Sequence, residues 1–203
     1  CNALKMSLMA QAKQPLLKFH FISNVDPLDF MSVIEAVDIR KTLFVFVSKS
    51  GNTMEMVSNL RLLQELWVSQ GYELDDFRDY CVVITSQGSL LDSDSVSKYR
   101  FYIDDAIGGR FSVTSPVGTC ILGLCFGIPA VEQFLEGAYL MDQNATESSC
   151  DQNLSLIAAW ELVWQRTVCM YPVRVCASYT SMLKLLPNYI TQLTCESNGK
   201  SVD

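Results

Sequence analysis

The length, composition and charge of this chain narrow the classes of protein to which it can belong. Its 203 residues suffice for one large domain, or for one domain and part of another, and a content of 49% apolar and 18% charged residues is typical of globular proteins. The net charge of −7 argues against a nucleic-acid partner, because a phosphate backbone requires a basic face. Any anion that binds here must therefore be held by local groups.

Short β-rich runs alternate with longer helical patterns along the chain. Most of the predicted strands are continuous apolar runs, a pattern typical of a parallel sheet that is covered on both faces. They lie at residues 18–23, 42–48, 81–86, 99–103 and 173–178. This alternation predicts an α/β fold, a three-layer sandwich around a doubly wound, mainly parallel sheet.

Two helices are predicted between the first three strands. One covers residues 27–37 and follows Asp26 as its N-cap, and a longer one covers residues 54–70. The longer helix carries apolar residues at spacings of three and four, namely Met54, Val57, Leu60, Leu63 and Trp67. This spacing predicts one apolar face that packs on the sheet.

The last third of the chain is mainly helical. Helices are predicted over 130–141, 153–165 and about 181–195, with Trp160 and Trp164 on one face of the second. The apolar run 116–131 contains Gly and Pro and is shorter than the roughly 20 residues that a bilayer requires, so we expect a buried helix and no membrane partner. We predict a domain boundary near 125–129, with domains of residues 1–127 and 128–203.

Cysteine and histidine usage indicates a cytoplasmic protein without a metal site. Four of the eight cysteines lie in apolar runs without C-x-x-C spacing, and we expect reduced, buried thiols at Cys81, Cys120, Cys125 and Cys176. The single histidine, His20, has no accompanying set of metal ligands. The chain begins at Cys1 in an apparent helix interior, and we expect it to be a piece of a longer protein.

The segment SKSGNT, from Ser48 to Thr53, lies where a predicted strand passes into a helix. Free backbone N–H groups and the positive end of the helix dipole point there, and such a junction binds anions readily. Hydroxyls of Ser48, Ser50 and Thr53 add donors, and Gly51 permits close approach of the backbone. Alternatively, Asn52 with Glu55 forms a capping box and the serines are ordinary turn residues.

Two further segments carry candidate functional groups. Gly109 precedes Arg110, so a ligand could approach the backbone beside a guanidinium that stabilises an oxyanion, although a GGR sequence is also compatible with a surface turn. Glu196 lies near the predicted end of the last helix, and Gln192 is four residues earlier on the same face. A carboxylate at the negative helix end is unfavourable, which hints at function, although a solvated charge is the alternative.

Four motifs together resemble the glucose-6-phosphate isomerase family over nearly the whole chain. They are NVDP at 24–27, VSKSGNT at 47–53, DAIGGRFSVTSPVG at 105–118 and CESNGK at 195–200. The resemblance implies two sugar-isomerase (SIS) domains, each an α/β sandwich around a parallel sheet. It implies interconversion of glucose 6-phosphate and fructose 6-phosphate through a cis-enediol, in glycolysis and gluconeogenesis.

The resemblance also implies a role for each matching residue. It implies that the sugar phosphate is held by the segment that contains Ser48, Lys49, Ser50, Gly51, Asn52 and Thr53. Arg110 would stabilise the enediol with Gly109 beside the substrate, Gln192 would bind substrate, and Glu196 would be the catalytic base. No metal or organic cofactor is implied, and the full-length protein would be a homodimer.

The chain departs from the family pattern at three positions and lacks three of its elements. Many members of the family have SKTFTT-like residues where this chain has SKSGNT, so Gly51 and Asn52 contribute no β-branched hydroxyl, and Met56 stands where threonine is common. A Gly-Gly-Ser loop, a ring-opening histidine and a lysine are expected outside the chain, so we expect the 203-residue chain alone to be inactive. The alternatives are a non-catalytic SIS-type sensor of sugar phosphates, which would need the phosphate loop but neither Glu196 nor Arg110, and a structural unit without ligand affinity.

Overall fold

A computed structural model describes residues 17–199 of the chain, without the side chain of Met182. These residues divide into two compact units: the described residues up to Gly118 form the first, and those from Thr119 onward form the second. Each unit is described by itself below.

A three-stranded parallel sheet lies at the centre of the first unit. Its strands are β1 (Phe44–Val47), β2 (Cys81–Thr85) and β3 (Tyr99–Tyr102), arranged in the order β1-β2-β3. Phe44 is in register with Cys81, and Val82 with Tyr99. The predicted α/β class is confirmed by this parallel sheet with its helices, whereas the doubly wound, three-layer arrangement stays a prediction.

Burial differs along the sheet in the way that its strand order requires. All residues of β2 are buried, because this strand is central and has a neighbour on each side. β3 lies at the edge of the described sheet, and three of its four residues are exposed. The central place of β2 thus explains why its sequence is continuously apolar.

Two of the predicted strands are wrong. Residues 18–23 and 173–178 form no strand, and Val173 and Val175 are 74% and 82% exposed. A strand requires a neighbour that accepts and donates its backbone hydrogen bonds, and neither run has such a ladder partner among residues 17–199. β-propensity alone therefore does not produce a strand at these places.

The described part of the first unit contains three α-helices and three short 3₁₀ helices. The α-helices are α1 (Pro27–Glu35), α2 (Met54–Ser69) and α3 (Leu74–Phe77). The 3₁₀ helices are Ile39–Lys41, Arg78–Tyr80 and Gly109–Thr114. Asp26 caps α1 as predicted, since its side chain accepts a hydrogen bond from Leu28 N at 2.9 Å.

The core of the first unit lies between α2 and the sheet. The buried face of α2 consists of Met56, Leu60, Leu63 and Trp67, spaced by four, three and four residues. Trp67 is fully buried and contacts the ring of Phe77, which also packs on Phe44. The prediction that Met54 belongs to this face is wrong: Met54 is the first residue of the helix and is 77% exposed.

The second unit is helical. Its helices are α4 (Pro116–Phe126), which begins in the first unit, α5 (Ile128–Glu147), α6 (Leu154–Thr167) and α7 (Leu186–Asn198), with a 3₁₀ helix at Ser181–Leu183. The rings of Trp160 and Trp164 stack with centroids 5.7 Å apart, which confirms that they share one face of α6. The helix predicted from about 181 instead begins at Leu186.

The predictions of buried thiols and of one buried helix over 116–131 hold only in part. The run 116–131 is divided at Gly127 between α4 and α5, and only Gly118 and Leu122 of it are buried. Cys81 is buried, Cys120 and Cys125 are half-buried, and Cys176 is exposed because its predicted strand does not form. Among residues 17–199, no helix has the length and apolar character needed to cross a bilayer. In the same part of the chain, no three His, Cys, Asp or Glu residues are grouped so as to hold a metal ion.

Candidate active site

The candidate phosphate loop, Ser48–Thr53, lies at the carboxyl end of β1, immediately before α2. Ser48 N donates to Ile84 O at 3.1 Å, so the pairing of β1 with β2 continues by one residue into the loop. The loop lines a cleft of about 530 Å³. Parallel strands place their carboxyl ends at one edge of the sheet, and ligands of α/β proteins bind at that edge.

Hydrogen bonds within the loop order its hydroxyl groups. Ser48 Oγ lies 2.9 Å from Thr53 Oγ1 and accepts a hydrogen bond from Gly51 N at 3.1 Å. Ser50 Oγ donates to Asn52 Oδ1. The N-cap of α2 is Thr53, and it makes no side-chain capping bond, so the alternative in which Asn52 caps this helix is wrong. No side chain caps the N–H groups in the first turn of α2, and such N–H groups can bind an anion.

Gly51 is the residue that brings the loop against its neighbour. Its φ of +72° lies in the left-handed region, which favours glycine. A Cβ on Gly51 would lie 2.9 Å from Leu91 N and 3.0 Å from Leu90 N. The loop and the segment that follows β2 therefore touch through backbone, and a side chain at Gly51 has no room.

The second wall of the cleft is a group of residues that the sequence analysis missed. The segment TSQGS follows the apolar part of β2 and contributes Ser86, Gln87, Gly88 and Ser89 to the lining. The signal was the same as for Ser48–Thr53, namely hydroxyl groups directly after an apolar strand. Because β1 and β2 are adjacent and parallel, these two polar segments face the same cleft.

Thr85 ties the two walls together. Its side chain is fully buried, and its Oγ1 donates to Ser48 O at 2.6 Å. Since that hydroxyl proton is used, Ser89 Oγ donates to Thr85 Oγ1 at 2.6 Å. Ser86 N also donates to Lys49 O at 3.0 Å. The backbone at the start of the phosphate loop is thus held from the neighbouring strand.

A turn stabilised by Asp92 holds the second wall. Gly88 N donates to Asp92 Oδ2 at 2.8 Å, and Tyr102 Oη donates to Asp92 Oδ1 at 3.0 Å. The hydrogen bond from Gly88 N lowers the pKa of the Asp92 carboxyl from its ordinary value, and the hydrogen bond from Tyr102 and the positive charge of Arg100 lower it further. The native turn therefore favours the ionised form of Asp92, which accepts both hydrogen bonds.

Lys49 reaches from the phosphate loop to the segment that carries Arg110. Its Nζ donates to Asp105 O at 2.7 Å and to Ile107 O at 2.9 Å. Arg110 follows in the 3₁₀ helix Gly109–Thr114, half-buried, with its guanidinium carbon 4.9 Å from the centre of the Phe111 ring. Thus the structure connects Ser48–Thr53 with the Gly-Gly-Arg segment.

The space around Gly109 is open. A Cβ built on Gly109 would meet no heavy atom within 4 Å, and neither Gly108 nor Gly109 has a positive φ. Packing within the described chain therefore does not require glycine at position 109. Met56, at a departure from the family pattern, is a buried core residue and does not line the cleft.

Gln192 and Glu196 meet in the second unit, near the end of α7. Gln192 Nε2 donates to Glu196 Oε1 at 2.8 Å, as the spacing of four residues predicts. Both side chains are exposed, and the helix ends at Asn198 with Gly199 as its C-cap. The structure thus brings the candidate residues together in two groups, one in each unit.

Comparisons with known proteins identify the family of this chain. The family model for phosphoglucose isomerase matches residues 2–203. The glucose-6-phosphate isomerases of Chlamydia caviae and Chlamydia felis are each 40% identical over 185 residues, which is 91% of this chain and 34% of each relative. The chain therefore spans about a third of the length of these curated relatives.

Solved structures give the same result for the fold. The crystal structure of a glucose-6-phosphate isomerase from Chlamydia trachomatis matches with a TM-score of 0.89 and 36% identity, over 99% of this chain and 38% of that one. A hypothetical protein from Thermus thermophilus matches with a TM-score of 0.83 and 30% identity, over 98% of this chain and 46% of that one. This chain belongs to the phosphoglucose isomerase family.

Proposed function

We propose that the full-length protein that contains this chain is an aldose-ketose isomerase that interconverts glucose 6-phosphate and fructose 6-phosphate, a step of glycolysis and gluconeogenesis. Membership of the phosphoglucose isomerase family supports this proposal. The observation that carries it is the cleft at Ser48–Thr53, which Lys49 links to the Arg110 segment. The 203-residue chain alone is proposed to be inactive, since it spans only about a third of its relatives' length.

The phosphate group of the sugar is proposed to bind at the loop Ser48–Thr53. Hydroxyls of Ser48, Ser50 and Thr53 supply donors when the phosphate replaces the hydrogen bonds that they make within the loop. The first turn of α2 supplies backbone N–H groups beside the positive end of its dipole. Asn52, on the exposed side of the loop, adds an amide donor. This is a local way to hold an anion in a chain whose net charge is −7.

Proton transfer is proposed to use the second group of residues together with Arg110. Glu196 removes the proton from C2 of the opened aldose, which gives a cis-enediolate. A proton passes from O2 to O1 through the cis-enediol, and Glu196 returns its own proton to C1, which gives the ketose. Gln192 binds the substrate and donates a hydrogen bond to the Glu196 carboxylate. Arg110 stabilises the negative charge that develops on oxygen, and Gly109 leaves room for the substrate beside it.

Further proposals concern the domains, the oligomeric state and the location of the enzyme. We propose two SIS-type domains, residues 1–127 and 128–203, with a doubly wound sheet in the first and only the helical start of the second. The enzyme is proposed to be a cytoplasmic homodimer that needs no cofactor. The small parallel sheet, with a polar cleft at its carboxyl edge, supports the first of these assignments.

The test separates a catalyst from a sensor. In the full-length protein, Glu196→Gln keeps the size of the side chain but removes the base, so we expect kcat to fall about 10²- to 10⁴-fold. Exchange of the C2 proton into deuterated water should fall in parallel. Glu161→Gln is the matched control, because Gln165 Nε2 donates to Glu161 Oε1 at 2.9 Å in a similar exposed pair.

Two outcomes would contradict the assignments. If Glu196→Gln still exchanged the C2 proton at the wild-type rate, Glu196 would be only a charge near the helix end. Replacement of Ser48, Ser50 and Thr53 together by Ala should raise KM, since a hydrogen bond to a charged group contributes about 1.5–3 kcal/mol. An unchanged KM for fructose 6-phosphate in this triple variant would rule out the phosphate site.

A further inference from the structure

Lys49 lies within the candidate phosphate loop and lines the cleft, and its ammonium group binds two backbone carbonyls of the segment that follows β3. Its Nζ donates to the carbonyl oxygens of Asp105 and Ile107, at 2.7 and 2.9 Å, across more than fifty residues of sequence. The side chain is half-buried, and two of its three N–H donors are used by these carbonyls. One N–H donor of the ammonium remains, and the two carbonyl bonds fix where the ammonium lies in the cleft.

The two carbonyls belong to the turn that leads into the helix of Arg110. Ile107 N donates to Asp104 O at 3.0 Å, and Phe111 N donates to Gly108 O at 2.9 Å. Ile107 thus lies one residue before the N-cap, Gly108, of the 3₁₀ helix that carries Arg110. A group that anchors the carbonyls of Asp105 and Ile107 therefore anchors the start of that helix.

Lys49 is itself fixed in the backbone by the neighbouring strand. Lys49 O accepts a hydrogen bond from Ser86 N at 3.0 Å, and the preceding carbonyl, Ser48 O, accepts from Thr85 Oγ1 at 2.6 Å. The backbone at Lys49 is thus hydrogen-bonded to β2 and to the residue that follows it. The lysine side chain in turn holds the segment of Asp105 and Ile107, which follows β3, at a fixed place beside the candidate phosphate loop.

We propose that Lys49 is a positioning residue that couples the phosphate-binding loop to Arg110, rather than a ligand of the phosphate. This inference rests on the proposed function, because Arg110 matters only if charge develops on the substrate. Arg110 acts in the reaction, and Lys49 acts through it. Loss of the lysine should then reduce turnover while the affinity for phosphate is retained.

The variant Lys49→Met tests this in the full-length protein, because methionine fills a similar volume without donors. We expect kcat to fall about 10- to 100-fold, since a shift of about 1 Å in a catalytic group costs up to this much. KM and the Kd of inorganic phosphate, measured by calorimetry, should stay within about twofold. A phosphate ligand would behave in the opposite way: the Kd would rise roughly 10-fold or more with the loss of a charged hydrogen bond. That result would overturn the proposal.

A double-mutant cycle with Arg110→Lys tests the coupling. If Lys49 acts through Arg110, the double variant should be about as slow as Arg110→Lys alone, whereas independent effects would multiply and contradict the proposal. Lys98→Met is the matched control, because Lys98 pairs with Asp79 at the surface of the same unit and such pairs contribute little. It should leave kcat and the phosphate Kd unchanged.

Hydrogen exchange gives a readout that does not depend on turnover. In Lys49→Met, the amides of Ile107 and Phe111 should exchange faster than in the wild type, while amides of the buried strand β2 should be unaffected. Unchanged exchange at both amides would overturn the proposed anchoring. If the wild-type protein showed no isomerase turnover, the proposed function would fail, and Lys49 would still be judged by this exchange and by phosphate calorimetry.

Discussion

Replacement of Gly51 by alanine should destabilise the candidate phosphate loop through two separate effects. The φ of +72° at Gly51 is left-handed, and an L-residue there costs about 1–2 kcal/mol. The new Cβ would also lie 2.9 Å from Leu91 N and 3.0 Å from Leu90 N. These are backbone atoms that cannot rotate away, so the segment after β2 must shift, and overpacking of this kind costs about 1–3 kcal/mol. Together we expect a loss of about 2–5 kcal/mol in the free energy of unfolding.

Gly71→Ala is the matched control for Gly51→Ala. Gly71 has a φ of +84°, but a Cβ there would meet no heavy atom within 4 Å. The control therefore keeps the backbone strain, about 1–2 kcal/mol, and removes the steric conflict. The difference between the two variants, about 1–3 kcal/mol, measures the close approach of the loop to residues 90 and 91.

The assay is urea denaturation of the full-length protein, together with calorimetric titration of inorganic phosphate. We expect Gly51→Ala to unfold at lower urea than Gly71→Ala and to bind phosphate more weakly, because the clash shifts the candidate phosphate loop and the segment after β2 relative to each other. The control should bind phosphate as the wild type does. Equal destabilisation of the two variants would refute the steric argument, and wild-type phosphate affinity in Gly51→Ala would refute the placement of the anion at this loop.

Two further predictions concern titratable groups of the first unit. Burial raises the pKa of the Cys81 thiol to about 12, so in the native protein we expect alkylation of Cys81, followed by mass spectrometry, to occur only as fast as the protein unfolds; rapid labelling at pH 8 would contradict the burial. The lowered pKa of Asp92, caused first by the Gly88 N–H, means that its stabilisation is present above the unfolded pKa of about 3.9 and is lost as pH falls through the folded value. Urea denaturation at several pH values should therefore show a steeper loss of stability below about pH 5 in the wild type than in Asp92→Asn, and identical slopes would show that the Gly88 bond does not favour the carboxylate.

The sequence alone was sufficient where the determining interactions are local. The cap of Asp26 on α1 and the hydrogen bond from Gln192 to Glu196 each involve residues at most four apart along one element. The buried face of α2 was predictable from Leu60 to Trp67 but not in its first turn, where Met56 and not Met54 is buried. The runs that became β1 and β2 were predictable because strands covered on both faces are continuously apolar. The strand-to-helix position of the candidate phosphate loop followed from these two kinds of element.

Tertiary structure decided the features that depend on a partner distant in sequence. Residues 173–178 have the composition of a strand but no neighbouring ladder among the described residues, so they remain exposed. The second wall of the cleft became visible only when β2 was placed beside β1, and the bonds of Lys49 to the carbonyls of Asp105 and Ile107 span more than fifty residues. The need for glycine at position 51 likewise comes from the backbone of Leu90 and Leu91. Periodicity and capping depend on interactions within one element, so they can be read from the sequence. The neighbours that form a site depend on strand order and register, which only the tertiary structure shows.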